Sequence, residues 1–226
     1  MQLKILFLTN LLFLLVFNSC TNKNSNSNQR ISSEPKSTQD NIIITEKHLL
    51  KDYKPIFENG DINVVVEIPA GTLEKWEVDK VDGNLRLEYI NDTPRIVQYL
   101  AYPGNYGMIP RTLLPKEFGG DGDPLDVLVL GDASERGSVI QCKVIGVLKM
   151  LDRGEQDDKL IAVKKDSPFY KLNSIKELNE KFPETSDIIS IWFANYKGKG
   201  KIEIIGFEER EVAIKILNTA IQEFEK

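Results

Sequence analysis

The sequence predicts an α+β fold, with a small β-barrel and helices packed against it. Between residues 62 and 163, short runs rich in β-branched and apolar residues follow one another, and helical patterns dominate from residue 168 onward. Strands grouped before helices indicate an α+β protein rather than an alternating α/β protein. The 226 residues suit one globular domain with a normal core and an additional terminal segment.

Each strand is predicted from its composition and from the residues that end it. The run 62–69 is rich in valine and stops at Pro69, as a strand does. Residues 75–90 are predicted to form two strands joined at Asp82-Gly83-Asn84, a typical turn sequence. Further apolar runs predict strands at 125–131, 138–151, 159–163 and 201–207.

The run 138–151 alternates, which places Cys142 on one face of a strand with Val144 and Leu148. A thiol on such a face packs as a small apolar side chain. The other cysteine of the chain, Cys20, lies in the N-terminal segment, so no intramolecular disulfide is predicted.

Helices are predicted in the last third of the chain. A short helical pattern follows Pro168, and a second helix is predicted from Thr185, Ser186 or Asp187 as N-cap to Gly198. The C-terminal stretch is amphipathic, with apolar residues at helical spacing. These residues are Ala213, Ile216, Leu217, Ala220, Ile221 and Phe224.

Residues 1–19 are predicted to be a secretory signal peptide. Lys4 precedes an apolar run over residues 5–17, which is short for a membrane span. Ser19 directly before Cys20 resembles a bacterial lipoprotein cleavage site. This resemblance implies a lipid on Cys20 and an exported protein anchored to the cell envelope, on its periplasmic or surface side. The alternative is an ordinary signal peptide in which the cysteine is incidental.

Residues 20–44 are predicted to be a flexible polar tether. Asn, Ser, Thr and Gln dominate this segment, and such a composition buries too little apolar surface to offset the entropy of ordering. The folded domain is then residues 45–226. The formal net charge of −5 offers no basic face, so no nucleic-acid partner is predicted.

Three aspartates crowd the stretch 119–132, at Asp121, Asp123 and Asp126. An EF-hand loop that begins at Asp121 would need an oxygen ligand at its fifth position and glycine at its sixth. Leu125 and Asp126 occupy these positions, which excludes that motif. A polar turn explains Asp121 to Pro124, because Asp-Gly and Asp-Pro pairs are common in turns. It does not explain Asp126, which begins an apolar strand.

A second acidic group, with Asp152 and Asp157, follows the strand 138–151. Carboxylates at the mouth of one small sheet predict a site for hard cations, Mg²⁺ first and Mn²⁺ or another hard divalent cation next. The one histidine of the chain, His48, lies at the end of the tether, which argues against a histidine-based metal site. Basic and phenolic side chains elsewhere could hold the phosphate groups of a small substrate.

Together these stretches resemble the soluble family I inorganic pyrophosphatases. "DGDPLDVLVL" matches the family's Asp-x-Asp-Pro-x-Asp motif. "VVVEIP", "KWEVDK", "YPGNYG", "VIGVLKMLDRGEQDDKL" and "NYKGKGK" look like the other family blocks, in the family's order, over residues 62–206. The resemblance implies an OB-like five-stranded barrel with flanking helices, hydrolysis of Mg²⁺-bound pyrophosphate to two phosphates, and a homo-oligomer, either a hexamer or a dimer.

The resemblance also implies roles for individual residues. By this resemblance, Asp123 matches the family position of the general base for the attacking water. Tyr102 likewise matches a supporting hydrogen-bond donor. The implied metal ligands are Asp121, Asp126, Asp152, Asp157 and Glu67. The implied phosphate-binding residues are Lys75, Arg95, Lys159, Tyr196 and Lys197, and Lys75, Arg95, Tyr102 and Lys159 are also counted as catalytic. Glu77 and Tyr106 match positions that line the family's site.

Two other functions stay open on the sequence. One is a metal-dependent hydrolase of longer polyphosphates or nucleotides, which differs in pocket size. The other is a binding lipoprotein that captures metal or phosphate without turnover. The presence of both the proposed base Asp123 and the cation Lys159 argues against the binding protein.

Overall fold

The computed structural model describes residues 41–226, in a unit that contains the whole of the predicted barrel and helices. In chain order its strands are β1 (Ile42–Ile43), β2 (Ile62–Ile68), β3 (Trp76–Val78), β4 (Leu85–Leu87), β5 (Tyr89–Ile90), β6 (Thr93–Pro94), β7 (Asn105–Met108), β8 (Asp126–Leu130), β9 (Val139–Asp152), β10 (Glu155–Gln156), β11 (Lys159–Lys164) and β12 (Ile202–Glu209). Its α-helices are α1 (Ile175–Lys181), α2 (Thr185–Asn195) and α3 (Arg210–Phe224), and 3-10 turns cover Lys116–Phe118 and Pro168–Lys171.

Five strands close into a barrel, as predicted. Strand β2 pairs with β7, β7 with β8, β8 with β11, β11 with β9, and β9 returns to β2. The β8–β11 pair is parallel and the other four pairs are antiparallel. Closure gives these five strands partners on both sides, so the barrel leaves them no open edge.

Strand β9 is the long element on which the barrel is built. One of its edges pairs first with β2 and then with β12, and its other edge pairs with β11 and then with β10. Its N-terminal half therefore closes the barrel, while its C-terminal half carries Asp152 out to a β-hairpin. The predicted strand at 138–151 is confirmed with bounds Val139–Asp152.

A β-bulge changes the face of β9 that each side chain occupies. The register with β11 shifts between Ile161 and Ala162, which pair with Gly146 and Val144. Cys142 and Val144 belong to the core that α3 covers, as predicted, but Leu148 packs in the core beneath α1 and α2. The prediction that Leu148 shares the face of Cys142 is wrong, because the extra residue of the bulge reverses the alternation.

The helices cover the barrel in the predicted order. Helix α3 buries Ala213, Leu217 and Ala220 against the barrel, which confirms its amphipathic pattern. Helix α2 begins at Thr185, but its N-cap is Glu184, whose φ is 66° and whose side chain makes no capping bond among the described residues. The predicted capping role of the 185–187 side chains is therefore wrong, and Ser186 instead donates to Asn179 Oδ1 at 2.6 Å.

Beside the barrel stands a three-stranded antiparallel sheet in the order β1–β4–β3. The predicted pair of strands around 82–84 is confirmed as β3 and β4, and β1 joins them from the N-terminal side. Residues 42–43, which the sequence assigns to the tether, are thus ordered, so the folded part begins a few residues before the predicted boundary at 45. The predicted signal peptide, Cys20 and the rest of the tether lie outside the described residues.

Across residues 41–226, no helix combines the length and the apolar character needed to cross a bilayer.

Cys142 is expected to resist alkylation in the folded protein. Its side chain is fully buried, and burial together with the nearby Asp61 raises the pKa of the thiol well above its usual value, so little thiolate forms. In a Cys20→Ser variant, whose single thiol is Cys142, iodoacetamide should modify no thiol in buffer and one thiol in denaturant, as measured by mass spectrometry. Rapid modification without denaturant would contradict the buried placement.

Candidate active site

A cavity of about 190 Å³ lies between the barrel and the three-stranded sheet, and it collects most of the predicted site residues. Its lining includes Glu67, Lys75, Glu77, Arg95, Tyr102, Tyr106, Asp121, Asp123, Asp126, Asp157, Lys159, Tyr196 and Lys197. Asp152 stands next to this lining, and Lys197 joins it to the cavity. Cys20, predicted as a lipid site, is outside the described residues.

Barrel topology brings Asp126 and Lys159 together. Asp126 is the first residue of β8 and Lys159 is the first residue of β11. These two strands are parallel neighbours with Leu160 opposite Val127, so their first residues stand side by side at one end of the barrel. The Lys159 Nζ atom lies 2.5 Å from Asp126 Oδ2 and also forms an ion pair with Asp157.

The protonation states of Lys159 and Asp126 follow from two opposing effects on their pKa values, which are burial and the charges of neighbouring residues. Lys159 is 3% exposed, and burial lowers the pKa of its ammonium group, but Asp126 and Asp157 more than compensate and the pKa rises. Burial likewise raises the pKa of Asp126, but Lys159 and Lys75 hold that pKa below its usual value. Both partners therefore stay ionised at neutral pH.

The loop before β8 presents the other two aspartates. The Asp123 N–H donates to Asp121 Oδ1 at 2.9 Å, and a β-bridge joins Leu114 to Asp123. Burial raises the pKa of Asp121. The charges of Asp123 and Asp126 raise it further, and the hydrogen bond from the Asp123 N–H opposes the rise. The crowding of like charges suspected from the sequence is thus present in the fold.

Asp152 carries an unused oxygen. Its Oδ2 atom accepts from Lys197 Nζ at 2.7 Å. Its Oδ1 atom is buried and has no hydrogen-bond partner within residues 41–226. A buried carboxylate oxygen without a partner is costly, and a cation is one means of satisfying it.

Glu67, the next-to-last residue of the barrel strand β2, is held in the opposite protonation state from Asp126. Its Oε1 atom accepts from the Val78 N–H at 2.9 Å, which joins the barrel to β3. Burial raises the pKa of Glu67 to about 8, although Lys75 and the Val78 N–H pull in the other direction. The carboxyl group therefore holds a proton at neutral pH in the absence of a further cation.

The basic residues on the opposite wall are fixed by short-range pairs. Lys75 Nζ lies 2.8 Å from Glu77 Oε1, and Arg95 Nη1 donates to both carboxylate oxygens of Glu88, at 2.8 and 2.7 Å. Their backbones are joined as well, because the Lys75 N–H donates to the Arg95 carbonyl at 2.9 Å. Arg95 thus reaches the cavity, and Glu88 orients it there.

Three tyrosines form an aromatic wall with Trp192. The Tyr102 ring lies 5.3 Å from the Tyr106 ring and 4.5 Å from the Trp192 ring, and Trp192 stacks on Tyr196 at 4.7 Å. Burial raises the pKa of all three phenols, so each keeps its proton and can act as a hydrogen-bond donor.

The model of the inorganic pyrophosphatase family matches residues 64–225, which is most of the chain. The chain belongs to the soluble, family I inorganic pyrophosphatases. Inorganic pyrophosphatases of Xylella fastidiosa and Helicobacter pylori are 38% and 36% identical to it over 169 and 166 residues. These matches span 73% and 72% of this chain and 89% and 90% of those relatives. The predicted family is confirmed, and with it an enzyme of the inorganic diphosphatase class.

Solved structures agree with the fold. The inorganic pyrophosphatase of Schistosoma japonicum has a TM-score of 0.73 at 30% identity, with 78% of this chain and 71% of that chain covered. The Helicobacter pylori enzyme has a TM-score of 0.65 at 34% identity, with 78% and 100% covered. The predicted OB-like barrel with flanking helices is confirmed.

The pyrophosphatase cavity fits hard cations by its chemistry. Within residues 41–226 no three acidic, His or Cys side chains are already gathered as a metal-binding set. Instead lysines stand between the carboxylates, with Lys159 at Asp126 and Asp157 and Lys197 at Asp152. Among the described residues the cavity lining holds six carboxyl groups against five basic groups. The surplus of oxygen ligands and the partnerless Asp152 Oδ1 atom fit a hard divalent cation.

Sequence reasoning missed two charged residues of this pyrophosphatase site. Lys80 lines the cavity and forms an ion pair with Asp123, and Glu88 orients Arg95. Lys80 closes the "KWEVDK" block, so its position in that block was an available signal. Glu88 had no such signal, because it lies outside the family blocks and meets Arg95 only through the short β5–β6 hairpin.

Glu67 should make the stability of the metal-free enzyme fall as pH rises. In the folded state the pKa of Glu67 is about 8, above its ordinary value of 4.5, so folding favours the protonated carboxyl group. This contribution to the free energy of unfolding is complete below pH 4.5 and is lost as the pH rises to 8. In chelator, the unfolding free energy of the unaltered protein should decline relative to Glu67→Gln, which stays neutral, by on the order of 3 kcal/mol over this window. Urea titrations at several pH values measure the difference, and parallel pH curves would contradict the buried neutral carboxyl group.

Proposed function

We propose that this protein hydrolyses inorganic pyrophosphate to two phosphates with Mg²⁺ and a water nucleophile, as an exported enzyme tethered to the membrane. The observation that carries the catalytic part is the single cavity in which carboxylates on barrel strands face basic and phenolic groups on the surrounding elements. Such a cavity has one half suited to hard cations and one half suited to phosphate oxygens.

The residues that would hold the metal are Asp121, Asp126, Asp152, Asp157 and Glu67. When bound, Mg²⁺ neutralises phosphate charge and lowers the pKa of a nearby water, and Mn²⁺ or another hard divalent cation can supply the same chemistry. Glu67 would lose its proton as it joined such a site, since a neighbouring cation favours the carboxylate.

The protein's own groups bind and orient the substrate. Lys75, Lys159 and Lys197 present ammonium groups to phosphate oxygens, and Arg95 adds a planar guanidinium. Tyr196 donates from a phenol that burial keeps protonated, and Tyr102 supports the metal side of the cavity in the same way. Phosphoryl transfer depends mainly on this positioning and charge stabilisation.

Asp123 is proposed to accept the proton of the attacking water at a carboxylate oxygen. Its side chain is half exposed at the mouth of the cavity, where Lys80 is its partner. Pyrophosphate and metal would draw Lys80 toward phosphate oxygens, which leaves the Asp123 carboxylate available to the water.

The Asp123→Asn variant should lose most of its activity and keep its fold. We expect Mg²⁺-dependent phosphate release from pyrophosphate to be abolished by chelator and to fall about 10²–10⁴-fold in the variant, because the proton acceptor is lost. Asp132→Asn is the matched control, since Asp132 is exposed and pairs with Lys164 away from the cavity. Equal activity in both variants would remove Asp123 from its role, and hydrolysis of longer polyphosphate or nucleotides alone would redirect the substrate assignment.

The cellular part of the proposal rests on residues 1–44 of the sequence. The signal-like apolar run, Ser19 before Cys20 and the polar segment after it support lipid attachment at Cys20 and display of the enzyme on the outer side of a membrane. The family resemblance also supports a homo-oligomer, a hexamer or a dimer, which light scattering of the purified protein measures.

Cys20→Ser should release the enzyme from the membrane fraction and stop incorporation of labelled fatty acid. The matched control is Cys142→Ala, which removes the other, buried thiol and should leave both properties unchanged. Both are measured on the full chain expressed in a bacterial host. Fatty-acid label that persists in Cys20→Ser would overturn the anchor, and release without any label in the unaltered chain would favour an ordinary signal peptide.

A further inference from the structure

Strand β1 lies outside the part of the chain that the family model matches, and it adds to a wall of the active site. The match begins at residue 64, whereas β1 covers Ile42–Ile43. Its partner β4 is paired in turn with β3, and the β3–β4 hairpin carries cavity residues. The hairpin turn holds Lys80, and β3 holds Glu77, directly after Lys75 and Trp76.

The contacts of the N-terminal segment run along the whole of β4 and its turn. The Leu87 N–H donates to the Asn41 carbonyl at 3.0 Å, and Ile43 pairs with Leu85. The Thr45 N–H then donates to Asn84 Oδ1 at 3.1 Å. A few residues later, the Leu49 N–H donates to the Gly83 carbonyl at 3.2 Å.

Apolar packing joins the same elements. Ile43 packs against the core cluster that contains Leu85, Trp76, Leu50 and Met108. Leu50 and Met108 also line the active-site cavity, so this cluster lies directly behind the wall that faces the substrate. A shift of the hairpin would therefore disturb both the packing of this cluster and the lining of the cavity.

The hairpin is also held to the barrel directly, by apolar packing of Trp76 and Leu85 with Val65 and Met108 and by a few polar contacts. The Val78 N–H donates to Glu67 Oε1 at 2.9 Å, and Arg136 contacts Glu74 Oε2 at 3.2 Å while lying over the Trp76 ring. A two-stranded hairpin alone is marginally stable in water, and a third strand with an apolar face is what gives it independent stability. Strand β1 is that third strand.

We propose that residues 41–45 are a positioning element of the active site, which holds the β3–β4 hairpin so that Lys75, Glu77 and Lys80 face the cavity. This inference rests on the proposed function, because it takes the cavity as the pyrophosphate site. The segment touches no substrate, and it acts through the hairpin.

The ladder offers a matched pair of variants. Asn41 and Leu87 form a hydrogen-bonded pair, so the antiparallel alternation makes Ile43 and Leu85 the next such pair and points the Ile42 N–H away from β4. Ile43→Pro removes a donor from the ladder, whereas Ile42→Pro places the same residue type where no ladder donor is lost. Both are made in the full chain.

Steady-state hydrolysis of pyrophosphate with Mg²⁺ tests the proposal. Ile43→Pro should raise KM about tenfold and change kcat little, because it loosens groups that bind the substrate in ground and transition states alike. Ile42→Pro should keep both constants near those of the unaltered enzyme. If thermal denaturation shows that Ile43→Pro does not fold, Ile43→Ala, which keeps the N–H and trims the packing, should raise KM in the same direction by a smaller factor.

A cycle with Lys80→Ala separates positioning from mere stability. In the unaltered background Lys80→Ala should raise KM, and in the Ile43→Pro background the same change should raise it much less, because Lys80 is no longer held in place. A fall in kcat at constant KM, with an undiminished effect of Lys80→Ala, would show that β1 only stabilises the fold and would overturn the proposal. Identical constants in the two proline variants would overturn it as well. An unaltered protein without pyrophosphate hydrolysis would instead refute the proposed function.

Discussion

The buried ammonium group of Lys159 is the constraint on which the site depends. A charge that is 3% exposed is tolerated because Asp126 and Asp157 flank it, and the ammonium group in turn holds the pKa of Asp126 below its usual value. Their meeting requires β8 and β11 to run parallel in neighbouring positions, which the closed barrel enforces. Closure of the barrel therefore gathers like charges at one end of the protein. The ion pairs of Lys159 with Asp126 and Asp157 form only where this closure places them.

One cavity holds two carboxyl groups in opposite states. Asp126 faces Lys159 and Lys75, and its pKa is depressed, whereas Glu67 is buried in β2 with a pKa of about 8. The difference comes from the neighbours that each strand supplies, since desolvation raises the pKa of both groups. A site of this kind has a permanent negative part and a part that becomes negative when a cation arrives, so metal binding and proton release are coupled in it.

The sequence predicted the strands that carry the site, because apolar runs and turn residues are local signals. Strands 125–131 and 159–163 were placed within a residue or two, and the acidic groups beside them were recognised. The face of Leu148 was wrong because a bulge in β9 depends on its partner strand. Glu88 was missed because its pair with Arg95 depends on the local β5–β6 hairpin, which had not been predicted. The start of the domain was set too late because β1 pairs with β4, which is far along the chain, and single-sequence periodicity holds no signal for such a pairing. Glu184 was not predicted as the N-cap of α2, because it takes that position through a left-handed backbone conformation and not through a capping side chain.

The site divides by origin as well as by chemistry. Four of the proposed metal ligands stand on or beside barrel strands, namely Glu67, Asp126, Asp152 and Asp157. The basic residues Lys75, Lys80, Arg95 and Lys197 come instead from the hairpin, the turn after β6 and the segment after α2. Lys159 is the exception among the basic residues, because it stands on the barrel strand β11 and pairs there with Asp126 and Asp157. The barrel thus positions most of the proposed metal ligands, and separately anchored elements position most of the proposed phosphate-binding groups. Changes in peripheral elements can then alter substrate affinity without disturbing the carboxylates, and this is how we propose that strand β1 acts on the site without touching it.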